Sequence, residues 1–118
     1  MGVKMAGWKD GGVFCEIFGE TPRNKIIEFL LETRELDYSI GDIAKEVKLN
    51  RATTYNVMEG LIEEKIVVPT RKVSNGQLYK LNPEKEEVKA LIQVFNMLLK
   101  KSIEKSGIKE AIAIKCKN

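Results

Sequence analysis

Residues 49–60 have the sequence LNRATTYNVMEG, which starts like a helix but is polar along its first turns. Asn50 is a favourable N-cap residue, and a helix is expected from about Arg51 to Glu64. Helical spacing places the following residues on one packed side: Leu49, Thr54, Met58 and Leu61. The opposite side is therefore expected to face outward with its polar front uncovered.

The preceding segment, LDYSIGDIAKEVKLN, predicts a shorter helix. Ser39 followed by Asp42 is a variant of the capping box, with Asp in place of the usual Glu. The apolar residues that follow fall on a single helical face: Ile40, Ile43, Ala44 and Val47. Two short helices joined by a turn of about three or four residues, the second polar at its front, form a helix-turn-helix.

An earlier helix is predicted to begin with Thr21 as N-cap and Pro22 at its first position, and to run to about Arg34. Upstream of it, VFCEIF (13–18) alternates in a way that fits either a strand or a short helix. Periodicity does not decide between the two.

A β-hairpin is predicted after the helix-turn-helix, because the β-rich runs 66–73 and 77–81 bracket Asn75-Gly76. Pro69 cannot donate to a strand partner, so its strand should be exposed on at least one side. Asn82-Pro83 then opens a long helix that should end near Ser106-Gly107. The predicted fold is α+β and mainly α: a winged helix-turn-helix with a β-hairpin wing and a long C-terminal helix.

The chain is predicted to have four parts: a loose N-terminal segment (1–13), the winged helix-turn-helix domain (14–82), a C-terminal dimerisation helix (83–106) and a tail (107–118). The dimerisation expectation comes from an apolar stripe that is longer than the small domain can easily cover. It is formed by Val88, Leu91, Ile92, Phe95, Leu98, Leu99 and Ile103. A second copy of the same helix would cover it, which predicts a homodimer; the alternative is that the helix folds back on its own domain.

Composition excludes several classes of function. The 118 residues contain no histidine and only two cysteines, Cys15 and Cys116, which lie near opposite ends without Cys-x-x-Cys spacing. We therefore expect no metal site, no cofactor and no enzymatic activity. No apolar run approaches the roughly 18 residues of a membrane span, and the first residues lack the apolar core of a secretory signal. A cytoplasmic protein is expected.

Positive charge is concentrated in one segment. The net charge is +3, but residues 65–81 alone carry Lys65, Arg71, Lys72 and Lys80 without any acidic residue. Residues 41–60, by contrast, hold equal numbers of basic and acidic side chains. A basic hairpin on an otherwise near-neutral body is the pattern of an anion-binding edge.

These features predict binding to double-stranded DNA. Arg51 would contact guanine or a phosphate, and Asn56 an adenine edge. Asn50 and Thr53 would meet phosphate. Tyr55 would reach phosphate or pack on a thymine methyl, and Ala52 faces outward beside it. In the hairpin, Arg71, Lys72 and Lys80 would contact the backbone or the minor groove. The alternative is a winged helix that serves as a protein–protein interaction module in a transcription or repair assembly.

The segments FGETPRNKIIEFLL, DYSIGDIAKEVKLNRATTY and IVVPTRKVSNGQLYKLNPE resemble small archaeal winged helix-turn-helix transcriptional regulators of the MarR/ArsR-like kind, over about positions 14 to 105. The resemblance implies a homodimeric sequence-specific regulator, with DNA read by the block that starts at Arg51. Three departures matter. Lys65 stands where the family usually has a C-capping glycine, the missing histidines argue against metal sensing, and no region is long enough for a separate ligand-binding domain.

Overall fold

The computed structural model describes residues 12–74 and 76–106, and the predicted tail (107–118) and most of the N-terminal segment lie outside them. In the described part, five helices and one two-stranded antiparallel sheet follow in the predicted order. They are α1 (Val13–Phe18), α2 (Pro22–Glu32), α3 (Ile40–Val47), α4 (Arg51–Glu63), β1 (Val67–Val73), β2 (Gly76–Leu81) and α5 (Glu86–Ser106). This is a winged helix, and the expected fold class is confirmed.

The helix starts follow the capping residues found in the sequence. The side-chain oxygens of Thr21, Ser39 and Asn50 each accept a hydrogen bond from the backbone N–H three residues later, at 3.1, 3.1 and 2.7 Å respectively. VFCEIF, which periodicity left open, is a helix. Helices α2, α3 and α4 therefore each begin where the side chain of the N-cap residue satisfies one otherwise unpaired N–H group.

Two boundaries differ from the expectation. Helix α2 ends at Glu32, where the hydroxyl of Thr33 donates to the carbonyl of Phe29 at 2.8 Å and closes the last turn. Helix α5 begins at Glu86 and not at Pro83. There, Asn82 forms a turn of its own, because its side-chain oxygen accepts from the Glu84 N–H at 3.0 Å and its carbonyl accepts from Lys85 N–H at 3.3 Å. Local side-chain bonds thus compete with the helix at both points.

Two lysines adopt the left-handed conformation that glycine usually fills at helix ends. Lys48 (φ 58°) follows α3, and Lys65 (φ 60°) follows α4. At the C-terminal end of α4, the N–H of Ile66 donates to the carbonyl of Leu61 at 2.9 Å, which is the longer-range hydrogen bond of a Schellman motif. The helix end that Lys65 put in question is therefore built in the usual way, with lysine carrying the strained position.

The wing is an antiparallel hairpin with an exposed outer strand. Pro69 in β1 lies opposite Tyr79 in β2. Tyr79 directs both of its backbone groups to the other side, where it exchanges two hydrogen bonds with Tyr38 at 2.8 and 2.9 Å. Pro69 consequently sits where no N–H is required, which is why the sheet tolerates it.

The hydrophobic core receives side chains from every helix and from both strands. Its most completely buried members are Ile26, Leu30, Leu31, Ile43, Met58, Leu61, Val67, Val88 and Phe95. Helix α4 is thus packed against the body along one side, which fixes the direction of its other side. Among the described residues, no helix is long and apolar enough to cross a membrane.

Asn82 ties three elements together at the base of the wing. Its backbone N–H donates to the carbonyl of Ile66 at 2.9 Å, and its side-chain nitrogen donates to the carbonyl of Lys65 at 3.0 Å. The turn formed by the same residue leads into α5. The end of α4, the start of β1 and the start of α5 therefore meet at one asparagine.

Candidate nucleic-acid interface

Helix α4 has two distinct faces. Thr54, Met58 and Leu61 are completely buried. On the opposite face, the side chains of Arg51, Ala52, Tyr55 and Asn56 are exposed, as is Glu59. The packed and presented residues are those that the helical spacing predicted; that the presented ones contact DNA stays a prediction.

The front of α4 is held by hydrogen bonds inside the helix. The carbonyl of Asn50 accepts from both the backbone N–H and the hydroxyl of Thr54, at 3.1 and 2.9 Å. The Asn50 side-chain oxygen is occupied by the Thr53 N–H. Asn50 itself is exposed and Thr53 is half-buried. The cap thus fixes the first turn rigidly while it stays accessible from outside.

Arg51 lies against the start of α3. A Cβ atom on Gly41 would come within 2.9 Å of a guanidinium nitrogen of Arg51, so the absence of a side chain at Gly41 makes room for it. Within residues 12–74 and 76–106, no carboxylate forms an ion pair with Arg51. Its positive charge is therefore available for an external anion.

The wing arginine is in a different situation. The Nε and Nη2 atoms of Arg71 donate to the two carboxylate oxygens of Asp37 at 3.1 and 3.2 Å. The hydroxyl of Thr70 also donates to Asp37, at 2.6 Å. These hydrogen bonds, first from Arg71 and then from Thr70, lower the pKa of Asp37 from 3.8 to about 2. Asp37 lies 34 residues upstream, so the charge count along the hairpin missed it.

The other two predicted wing contacts differ in exposure. Lys72 is exposed and Lys80 is half-buried. Neither forms an ion pair within the part of the chain that the structure describes. Because Asp37 offsets Arg71, the wing surface carries less net positive charge than its own sequence indicates. Of its two lysines without an ion pair among the described residues, Lys72 is the more exposed.

The predicted dimer stripe on α5 is divided between core and surface. Val88 and Phe95 are buried in the core of the protomer, so they are not available at a surface. Leu91, Ile92, Leu98 and Ile103 are half-buried, and Leu99 is 38% exposed.

Other exposed apolar side chains lie nearby and were not part of the predicted stripe. Val94 and Met97 belong to α5, and Ile17 and Phe18 belong to α1. A depression between these helices is lined partly by Ile17 and Leu98. Val94 and Met97 have helical spacing of their own, which was a detectable signal. The α1 pair could be found only once VFCEIF was known to be a helix.

Nothing in the described residues resembles a metal centre, since no group of three His, Cys, Asp or Glu side chains is placed to hold an ion. Cys15 is buried beside Glu28. Cys116 lies outside the described residues.

Comparison with known proteins gives matches only among solved structures. No model of a protein family matches the chain, and no curated protein matches it. A mutant of Staphylococcus aureus MepR bound to an oligodeoxyribonucleotide superposes with a TM-score of 0.56 at 14% identity, covering 98% of this chain and 86% of that one. MepR, a transcription regulator of the multidrug efflux pump MepA, gives 0.53 at 12% identity, with 97% and 87% covered. A mutant of Lactococcus lactis ZitR gives 0.53 at 15% identity, covering 70% of this chain and 56% of that one.

At these identities the likeness establishes the fold alone, a winged helix. It agrees with the winged helix-turn-helix fold that the resemblance seen in the sequence implies. The matched proteins come from Staphylococcus aureus and Lactococcus lactis, so they do not bear on its archaeal part. This chain spans little more than half the length of the ZitR chain that it matches.

Proposed function

We propose that this protein is a sequence-specific DNA-binding transcriptional regulator that acts as a homodimer, without enzymatic activity of its own. The observation that carries the proposal is the two-sided construction of α4. Thr54 and Met58 anchor one side in the core, while Arg51, Tyr55 and Asn56 are presented on the other. A major groove admits a helix arranged in this way.

In this proposal, α4 reads the bases. Arg51 has no ion-pair partner among the described residues, and it contacts guanine or clamps a phosphate. Asn56 is exposed and contacts an adenine edge through its amide. Tyr55, 49% exposed, lies between them and packs against the groove wall. The Asn50 cap and Thr53 place the helix front against phosphate.

The wing then contacts the adjoining backbone or minor groove. Lys72 and Lys80 neutralise phosphates. Arg71, which lies where the pairing of β1 with β2 shifts register, reaches the same DNA strand. Such contacts position the protein without reading the sequence, so they should contribute to affinity for every duplex.

The dimer forms through α5 and α1. The exposed apolar residues Val94, Met97 and Leu99 on α5, together with Ile17 and Phe18 on α1, form the surface that a second copy covers. Scattered exposed apolar residues are ordinary, but a group on two adjacent helices favours an interface. Two copies of α4 would then lie about 34 Å apart and face successive major grooves.

Selection from a pool of random duplexes with the purified protein tests this proposal. An enriched inverted repeat is expected, with a spacing that gives the separation of the two α4 helices. Replacing Arg51 and Asn56 together by Ala should remove discrimination between enriched and random duplexes, whereas replacing Lys72 by Ala should weaken both by a similar factor. Lys100→Ala, which removes an exposed charge from α5, is the matched control and should bind as the parent does.

The alternative, a protein–protein interaction module, is favoured by one observation. Residues 41–60, which include the start of α4, balance to zero net charge, and Asp37 offsets Arg71 in the wing. If selection enriches no duplex, and binding to random DNA is equally weak in the parent and in Lys72→Ala, the DNA proposal fails in favour of this alternative.

A further inference from the structure

The strand β1 contains a bulge that has its own supporting side chains. Its pairing with β2 is interrupted between Pro69 and Lys72. Across the gap, the side-chain nitrogen of Gln77 donates to the carbonyl of Arg71 at 3.0 Å and to that of Leu78 at 3.1 Å. Backbone groups that lose strand partners are thereby satisfied. A bulge of this kind re-aims the side chains at its centre.

Asp37 holds the centre of that bulge from outside the hairpin. It accepts hydrogen bonds from Thr70 and, through both oxygens, from Arg71. Its own backbone position is fixed, because the next residue, Tyr38, exchanges two hydrogen bonds with Tyr79 in β2. The carboxylate side chain is 17% exposed, whereas that of Arg71 is 66% exposed. The Asp37 carboxylate that accepts the hydrogen bonds is therefore mostly shielded from solvent, whereas the Arg71 guanidinium that donates them is mostly exposed.

The donors of Arg71 are divided between an inner and an outer edge. A guanidinium has five N–H donors in a fixed planar fork. Asp37 takes the Nε donor and one Nη2 donor. Three donors remain, two on Nη1 and one on Nη2. One Nη1 N–H and the remaining Nη2 N–H lie side by side on the edge that points away from the carboxylate. Two N–H groups on one edge match the spacing of phosphate oxygens.

We propose that Asp37 is a positioning residue for DNA binding: it orients Arg71 so that the outer edge of the guanidinium meets the nucleic acid. This inference rests on the proposed function and assigns a specific task to a residue outside both the recognition helix and the hairpin. The opposite reading is that Asp37 competes with DNA for Arg71. Geometry favours positioning, because the pair occupies one edge and leaves the other in solvent.

The test is a double-mutant cycle on the full chain. Dissociation constants are measured at one fixed salt concentration, for an enriched duplex and for a random one, with the parent, Asp37→Asn, Arg71→Ala and the double variant. Asp37→Asn removes the charge with little change of shape. It should weaken binding of the enriched duplex about tenfold, close to the effect of Arg71→Ala. In the Arg71→Ala background, Asp37→Asn should have no further effect.

The last comparison separates positioning from a merely structural role, because a damaged fold would weaken binding whether or not Arg71 is present. Thr70→Val provides a second variant. It removes a partner of Asp37 without altering any charge, and should weaken binding in the same direction. Urea unfolding of each variant identifies any that fail to fold.

Three outcomes overturn the proposal. Tighter binding of both duplexes by Asp37→Asn would show that Asp37 competes with DNA for Arg71. Unchanged binding would show that Arg71 needs no positioning by Asp37. An equal loss of affinity when Asp37→Asn is introduced into the Arg71→Ala background would show that Asp37 has a structural role. If the parent itself binds no duplex, the proposed function fails, and this inference fails with it; a parent that binds while Asp37→Asn does not differ refutes the inference alone.

Discussion

The buried carboxylate of Glu28, in α2, accepts a hydrogen bond from the backbone N–H of Gly12 at 2.8 Å and so caps a different helix. Its second oxygen accepts from the N–H of Phe14 at 3.2 Å. Gly12 occupies the N-cap position of α1 and has no side chain to perform this role. The first helix, which carries part of the proposed dimer surface, is therefore joined to the next helix by this carboxylate as well as by the packing of Phe14 in the core.

Replacing Glu28 by Ala should lower the free energy of unfolding by about 1–3 kcal/mol, because it leaves buried N–H groups of α1 without an acceptor. Urea denaturation followed by circular dichroism measures the change. Glu35→Ala, which removes an exposed carboxylate just beyond α2, is the control and should stay within about 0.5 kcal/mol of the parent. Equal stability of the two variants would show that the cap contributes nothing.

Replacing Lys65 by Gly should raise the free energy of unfolding by about 0.5–1 kcal/mol, because lysine pays a steric penalty at φ 60° that glycine avoids. The Schellman bonds around it involve only the backbone and remain. The matched control is Lys100→Gly, in the middle of α5, which should lose about 1 kcal/mol of stability. Thermal unfolding of both would compare the same substitution in two backbone conformations, and a loss at Lys65 would contradict this account.

The two faces of α4 should respond differently to truncation. Met58→Ala should cost about 2–5 kcal/mol of stability, since its side chain is completely buried. Asn56→Ala, on the exposed face, should leave stability within about 0.5 kcal/mol but reduce discrimination between duplexes. Denaturation and DNA titration on the same samples measure both. If Asn56→Ala proves as destabilising as Met58→Ala, the exposed face has a structural role.

The thiol of Cys15 should resist alkylation in the folded protein. Burial, followed by its hydrogen bond to Glu28, raises its pKa from 9.0 to about 12, so little of the reactive thiolate exists at neutral pH. In a Cys116→Ser background, iodoacetamide should label the native protein very slowly and the urea-unfolded protein rapidly. Rapid labelling under native conditions would mean that α1 detaches transiently from the rest of the domain and exposes Cys15.

The same pKa shift fixes the direction of a pH effect. Between the unfolded value near 9.0 and the folded value near 12, the folded protein binds more protons at Cys15 than the unfolded protein does. The contribution of the protonated thiol is therefore fully present below pH 9 and is lost as the pH rises through that window. A Cys15→Ala variant should show a smaller decline of stability over this range than the parent.

Local signals in the sequence were sufficient for most of the fold. Thr21, Ser39 and Asn50 are N-caps, because short-range hydrogen bonding at a helix start depends on neighbours in sequence. The two faces of α4 followed from spacing alone. The start of α5 did not, because Asn82-Pro83 forms a turn first and the competing bonds are equally local.

Long-range contacts were the part that sequence reasoning missed. The charge of Arg71 was counted without Asp37, because their pairing arises only when the segment before α3 joins the wing. Val88 and Phe95 belong to the same apolar stripe as Leu99, and periodicity cannot tell which members face the protomer core. The division between core and surface depends on how α5 crosses the other helices.

The three-way bonding of Asn82 has a mechanical consequence for the proposed dimer. Since this residue fastens the end of α4 and the start of β1 to the turn that leads into α5, we expect these parts to move together. A change in the angle between the α5 helices of two copies would then alter the distance between their two α4 helices. The shape of each winged helix-turn-helix domain would stay the same. The affinity for an inverted repeat would therefore depend on how well the spacing of its two halves matches the distance between the two α4 helices.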